Sequence, residues 1–245
     1  FQMIEGEKLG SFWGYTFAGI WQEDEVNAPF VDANGQTNGK TNGEVYKVKP
    51  GNSKYVDINK DGVYNDADQG VIGCGQPTFN WGWNNTFNYK NFDFSFFVVG
   101  FHGFDIYNAT HQMGYNLIKS QQVAGVTPMR ELLNRWTPTN TNTNIPGFVN
   151  GGTENKDFFS TRFVENGSFI KMKSITLGYT LPETACRALG ITNLRVYASV
   201  QNPFHITNYS GLDPEATMGS PLVQGVDWGS YPNSRNYLIG LNFSF

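Results

Sequence analysis

The last ten residues alternate with a period of two. Tyr237, Ile239, Leu241, Phe243 and Phe245 fall on one side, and Asn236, Gly240, Asn242 and Ser244 on the other. Successive side chains of an extended strand point to opposite faces, so the stretch reads as a strand with one apolar and one polar face. Only Leu238 breaks the pattern. The alternation recurs at residues 79–89, where Phe79, Trp81, Trp83, Phe87 and Tyr89 lie opposite Asn80, Gly82, Asn84, Thr86 and Asn88.

Beyond the short polar Lys90-Asn91 connection the apolar row continues through Phe92, Phe94, Phe96 and Val98, which predicts a hairpin running on to Phe104. Three more strands are expected at Leu9–Trp21, Phe169–Leu181 and Leu194–Phe204. That gives about six strands, each close to the roughly 9–11 residues that cross an outer membrane. Connections at 22–77, 105–168 and 205–235 are long, and those at 90–91 and 182–193 are short. Strict alternation of long and short is the signature of a transmembrane barrel with periplasmic turns and extracellular loops. It places the last residue in the periplasm.

The expected fold class is therefore all-β: an antiparallel transmembrane β-barrel portion with long extracellular loops. About six strands cannot close such a barrel, because bacterial single-chain examples start at about eight and an open edge in lipid leaves backbone groups unsatisfied. The other strands are expected from elsewhere. The opening Phe1-Gln2-Met3 lacks the charged start and apolar core of a signal peptide, and the chain reads as a segment of a longer polypeptide.

Composition agrees with this class. Aromatics make up 16% of residues and charged residues 16%, yet mean hydropathy is −0.39. A disordered chain would lack the aromatics, and a helical membrane protein would show apolar runs of about 18 residues. A net charge of −4 without a clustered basic footprint argues against nucleic acid as a partner. Cys74 and Cys186 form no CxxC pair; a single long-range disulfide stays open. One short helix is expected in the second long loop, with Thr127 as its cap, Pro128 in the first turn, and Met129, Leu132, Leu133 and Trp136 as an apolar stripe.

Residues 57–68 read DINKDGVYNDAD, with oxygen-bearing side chains at loop positions one, three, five, nine and twelve. This is the spacing of a calcium loop. Asp57, Asn59, Asp61, Asn65 and Asp68 would supply side-chain oxygens and Val63 its carbonyl, while Gly62 permits the sharp turn. Asp68 stands where an EF-hand carries a bidentate Glu, and no amphipathic helix precedes Asp57. Asp, Asn and Gly also dominate solvated loops built from Asx-turns without any metal. Calcium is thus expected as a structural ion.

Signals for enzymatic chemistry are missing: there is no GxSxG elbow, HExxH pair, P-loop or dinucleotide fingerprint. His102, His111 and His205 have no metal-ligand spacing, and the Glu23-Asp24-Glu25 run reads as a solvated loop face. The loop aromatics Trp136, Tyr209, Trp228 and Tyr231 are candidates for stacking on sugar rings, and equally for packing loops together.

A chain ending on Phe after an alternating run is similar to the C-terminal assembly signal of outer-membrane proteins. Further motifs extend the likeness: GSFWGY at 10–15 leading to GIWQ at 19–22, RFVENGSF at 162–169, ITLGYTLP at 175–182, VQN at 200–202, GLDPE at 211–215 and GVDWGSYP at 225–232. In this order they resemble the C-terminal region of SusC-like TonB-dependent transporters, over essentially residues 1–245. The resemblance implies a barrel of about 22 strands with a plug in its lumen. It also implies an outer-membrane location, energy from TonB through the plug region, a SusD-like surface lipoprotein as partner, and a glycan or peptide as cargo. The competing reading is a secreted, calcium-stabilised β-sandwich that binds carbohydrate, which explains the loop-length alternation poorly.

Overall fold

The computed structural model describes residues 5–115, 129–147, 158–188, 190–218 and 224–245. Its strands are β1 (Ser11–Tyr15), β2 (Phe17–Ile20), β3 (Ser53–Tyr55), β4 (Gln69–Cys74), β5 (Phe79–Tyr89), β6 (Phe92–His102), β7 (Asp105–Asn108), β8 (Val164–Asn166), β9 (Phe169–Thr180), β10 (Asn193–Thr207), β11 (Val226–Asp227) and β12 (Asn236–Ser244). Two compact units divide the chain. One comprises Phe1–Gly75, Tyr107–Glu165 and Val226–Gly229, and the other Gln76–Ile106, Asn166–Gly225 and Ser230–Phe245.

The second unit is built on an antiparallel sheet of five strands in the order β12-β10-β9-β6-β5. Lys90, at φ 53°, supplies the left-handed residue of the two-residue β5–β6 turn. Register keeps the two faces separate across the whole sheet. Ile239 lies opposite Ala198, Ala198 opposite Leu177, Leu177 opposite Phe94, and Phe94 opposite Phe87. The row beside it reads Leu238, Ser199, Thr176, Ser95 and Thr86. A one-residue slip in any strand would exchange the two rows, so the apolar pattern fixes the register.

Glycines on the polar face admit side chains from neighbouring strands. Arg195 reaches across Gly178 to make a bidentate pair with Asp93, at 2.9 Å from Nε and 2.5 Å from Nη2. A Cβ on Gly178 would lie 2.4 Å from Asp93 Oδ1. The Tyr197 ring occupies the space above Gly240, where an added Cβ would be 2.3 Å from Cζ. At the far end of this face Val99, Phe104, Ile106, Phe169 and Tyr209 form the buried core of the unit.

The first unit holds two apolar clusters. Phe12, Tyr107, Ala109, Phe163 and Val226 make one, and Trp21, Val26 and Val48 the other. Here the structure departs from the single strand expected at Leu9–Trp21, which is two short strands, β1 paired with β4 and β2 with β3. The break has a local cause: Tyr15 N donates to the Phe159 carbonyl and Phe17 N to Thr161 Oγ1, so these donors leave the ladder. The Glu23-Asp24-Glu25 run is the first turn of a short helix, Glu23–Asn27, rather than a loop face. The acidic side chains there favour the helix N-terminus, and Glu25 pairs with Lys54 at 2.6 Å.

In the second long connection, Thr127 and Pro128 lie outside the described residues. Downstream, Arg130–Asn134 is a 3-10 turn, which buries Leu132 and leaves Leu133 exposed. Three residues per turn cannot keep the expected stripe on one side. Cys74 and Cys186 are not joined as a disulfide. Among the described residues no helix is long and apolar enough to cross a membrane.

Candidate functional site

The outer face of the five-stranded sheet is exposed along its whole width. Phe79, Trp83, Phe87, Phe92, Leu177, Phe204, Ile206, Leu241 and Phe243 are all open, and Ile239 is 85% exposed. Keeping such a side chain in water costs about 1.5–3 kcal/mol relative to burying it, so the face would cost on the order of tens of kcal/mol. Net domain stability is only about 5–15 kcal/mol. A lipid environment removes the cost. The 11 residues of β5 rise about 3.3 Å each and, tilted by about 45°, span roughly the 25 Å of an outer-membrane apolar band. Both sheet edges, β5 and β12, lack a further partner strand among the described residues.

The six residues expected to ligate calcium lie along one hydrogen-bonded stretch of the first unit, residues 57–68. Lys60 and Gly62 take φ of 56° and 83°, and a Cβ on Gly62 would lie 2.2 Å from Val45. Asp57 accepts from Lys60 N at 2.6 Å, Gly62 N at 2.9 Å and the Tyr46 hydroxyl at 2.8 Å. Asp61 Oδ1 accepts from Val63 N at 2.8 Å, and Oδ2 from the side-chain amides of Asn59 and Asn65 at 3.0 and 3.1 Å. Asn65 also donates to the Val63 carbonyl at 3.2 Å. Asp68, 1% exposed, accepts from Ile58 N and Asn65 N.

The Val63 N–H is the main reason that the Asp61 carboxyl is held below its ordinary value. Burial pushes the Tyr64 phenol beside the turn up to about 12. Among the described residues no group of three or more His, Cys, Asp or Glu gathers as a metal centre. The donors gathered here are a mixture of carboxylate, carboxamide and carbonyl oxygens. Half a turn of the Asn59 and Asn65 amides would direct oxygen instead of nitrogen at Asp61. That donor chemistry suits a hard cation.

The four loop aromatics divide between the two units, Trp136 and Trp228 in the first and Tyr209 and Tyr231 in the second. Trp136 donates from Nε1 to Gln22 Oε1 at 3.0 Å and packs on Gly51 and Gly147. It lines a cavity of about 770 Å³ with Gln22, Glu23, Asp24 and Thr141. Tyr209 is 5% exposed and belongs to the core of the second unit. Trp228, in the first unit, is exposed, and Tyr231, in the second, is 89% exposed.

A buried charge cluster went unrecognised in the sequence. Lys171 on β9 is 2% exposed and contacts Asp213 Oδ2 at 2.9 Å and Glu215 Oε2 at 2.7 Å. Lys173 pairs with the other oxygen of Glu215. Asn233 donates its backbone N–H to Asp213 and its side-chain amide to Glu215. The buried ammonium thus ties the 213–215 leg of the last long loop to the inner face of the sheet, and Asn233 joins the other leg to the same carboxylates. The only trace in sequence was the GLDPE motif, which contains both carboxylates.

An amphipathic sheet with an exposed apolar outer face and a polar inner face defines a portion of an outer-membrane β-barrel. No protein-family model matches the chain. It is 33% identical to TonB-dependent receptor P3 of Formosa agariphila over 98% of its own length and 22% of that receptor. Identity is 30% to TonB-dependent receptor SusC of Bacteroides thetaiotaomicron over 80% of the chain, 18% of that protein. Solved structures of the RagAB peptide importer in its open-open state and of the RagAB peptide transporter superpose with TM-scores of 0.67 and 0.68, at 22% identity. Each superposition covers 96% of the chain and 22% of the other. The chain is a barrel segment of the SusC-like TonB-dependent receptors, which are proteins of the outer membrane. It spans about a fifth of the length of the relatives it matches.

Proposed function

We propose that this chain forms part of the wall and mouth of an outer-membrane importer that takes up an organic nutrient. The exposed apolar face of β5, β6, β9, β10 and β12 carries the reading, because it demands lipid on one side and leaves a polar surface for the lumen on the other. Its likeness to TonB-dependent receptors supports an energised receptor. The intact protein holds a plug within a barrel of about 22 strands and draws energy from TonB through it. A SusD-like lipoprotein covers the mouth, and the cargo is a glycan or a peptide.

Fractionation of membranes followed by mass spectrometry of the detergent-extracted species tests this. Co-purification of these residues with the upstream barrel and a SusD-like lipoprotein is expected. Recovery as a soluble, folded monomer would remove the importer reading in favour of a calcium-stabilised carbohydrate-binding module.

In the loop-rich unit, residues 57–68 hold a structural calcium ion through Asp57, Asn59, Asp61, Asn65, Asp68 and the Val63 carbonyl. The supporting observations are the loop spacing and the turn at Gly62, where Asp57 accepts from Gly62 N and Asp61 from Val63 N and the Asn59 and Asn65 amides. Bound calcium would stiffen the first long loop. Calorimetric titration of the intact protein with calcium should give saturable heat that Asp61→Ala abolishes; no heat from the unaltered protein would sink the assignment.

A further inference from the structure

The second unit contains a cavity of about 810 Å³ whose lining includes Phe101, Lys173, Glu215, Tyr231 and Asn233. Its charges are already balanced: Lys171 and Lys173 face Asp213 and Glu215, and both Glu215 oxygens are engaged. What remains to meet a ligand is neutral or nearly so. Lys173 uses one of its three N–H donors on Glu215, and Asn233 donates to Asp213 and Glu215 while its side-chain carbonyl stays open among the described residues. Tyr231 presents an 89% exposed ring at the same cavity. The buried Lys171 clamp holds Glu215, and through it Lys173 and Asn233, so the polar part of the lining is organised before any ligand arrives.

We propose that this cavity is a saccharide subsite on the inner wall of the barrel. The Tyr231 ring stacks against the apolar C–H face of a pyranose, and Lys173 and Asn233 bond its hydroxyls. A ring with apolar faces and a rim of hydroxyls matches one open aromatic platform flanked by a donor and an acceptor. A peptide held by its carboxylate would need an unsatisfied cation, and one held by strand addition a free edge to pair with. The clamp has used its cations, and β9 is paired on both sides. The inference rests on the importer reading and narrows its cargo.

The test uses the full-length transporter with its partner lipoprotein, extracted in detergent, probed on an array of neutral oligosaccharides and with a mixture of short peptides. The unaltered complex should retain at least one oligosaccharide. Tyr231→Ala should weaken that binding by roughly tenfold or more, while Tyr231→Phe keeps it, since stacking needs the ring and not the hydroxyl. Lys173→Met should weaken it as well. Equal affinity in Tyr231→Ala and Lys173→Met would overturn the subsite, and retention of peptides without oligosaccharides would overturn the ligand class. Either result leaves the importer reading intact. Absence of the protein from the outer membrane would instead remove that reading.

Discussion

Replacing Lys171 with Met would leave Asp213 and Glu215 buried without the ammonium that faces both. Breaking a buried ion pair from one side costs about 3–5 kcal/mol, because the surviving charge keeps its desolvation penalty. Lys171→Met should therefore lower the unfolding midpoint in denaturant and expose the 213–218 segment to protease, with the strands staying protected. The same cluster sets a pH dependence. Burial alone would raise both carboxyls, but the bonds from Lys171 outweigh it, with help from Lys173 at Glu215 and from the Asn233 N–H at Asp213, and hold them below the ordinary range. Carboxylates so lowered stabilise the fold above their unfolded value of about 4 and lose that contribution as pH falls through the lowered one. Hydrogen-exchange protection at residues 213–218, measured relative to the unfolded chain at each pH, should be high and constant above about pH 5 and fall below about pH 4. Protection that persists unchanged to about pH 2 would contradict this account.

Single strands obey the two-face rule in a way that substitution can read out. Ile239→Lys on the outer face of β12 should cost about 2–4 kcal/mol near the bilayer midplane, whereas Asn242→Lys on the inner face should be tolerated. Loss of the folded, heat-modifiable band on gels for the first variant and not the second is the expected result. Alternation made these faces legible from sequence, including the oddity of Leu238, which sits opposite Ser199 in the polar row. Strand ends were less legible. β10 continues past Phe204 to Thr207, because Asn202 at φ 50° and Pro203 form a bulge that the ladder resumes after. In a linear reading that Asn-Pro pair signals a stop. The clamp was invisible for a different reason: Lys171 and Asp213 are 42 residues apart, and no local pattern announces a contact made through a long loop.

For the whole molecule the two sheet edges that lack a partner among the described residues decide the behaviour. Five strands with lipid-facing side chains and open edges cannot shield their backbone groups in a bilayer. The 245-residue chain made alone should therefore be recovered as aggregate or mixed oligomers, even in detergent. Size-exclusion chromatography showing a discrete folded monomer would contradict the barrel assignment. Calcium would leave this outcome unchanged, since residues 57–68 belong to the loop-rich unit and not to the sheet.

The notches at Gly178 and Gly240 reach beyond the strands that contain them. The calibre of a barrel follows from how many strands it has and how far each is staggered against the next. Arg195 seated across Gly178 and Tyr197 seated on Gly240 act as detents that stop β9, β10 and β12 from sliding by a rung. Two residues without side chains therefore gauge the aperture on this side of the protein.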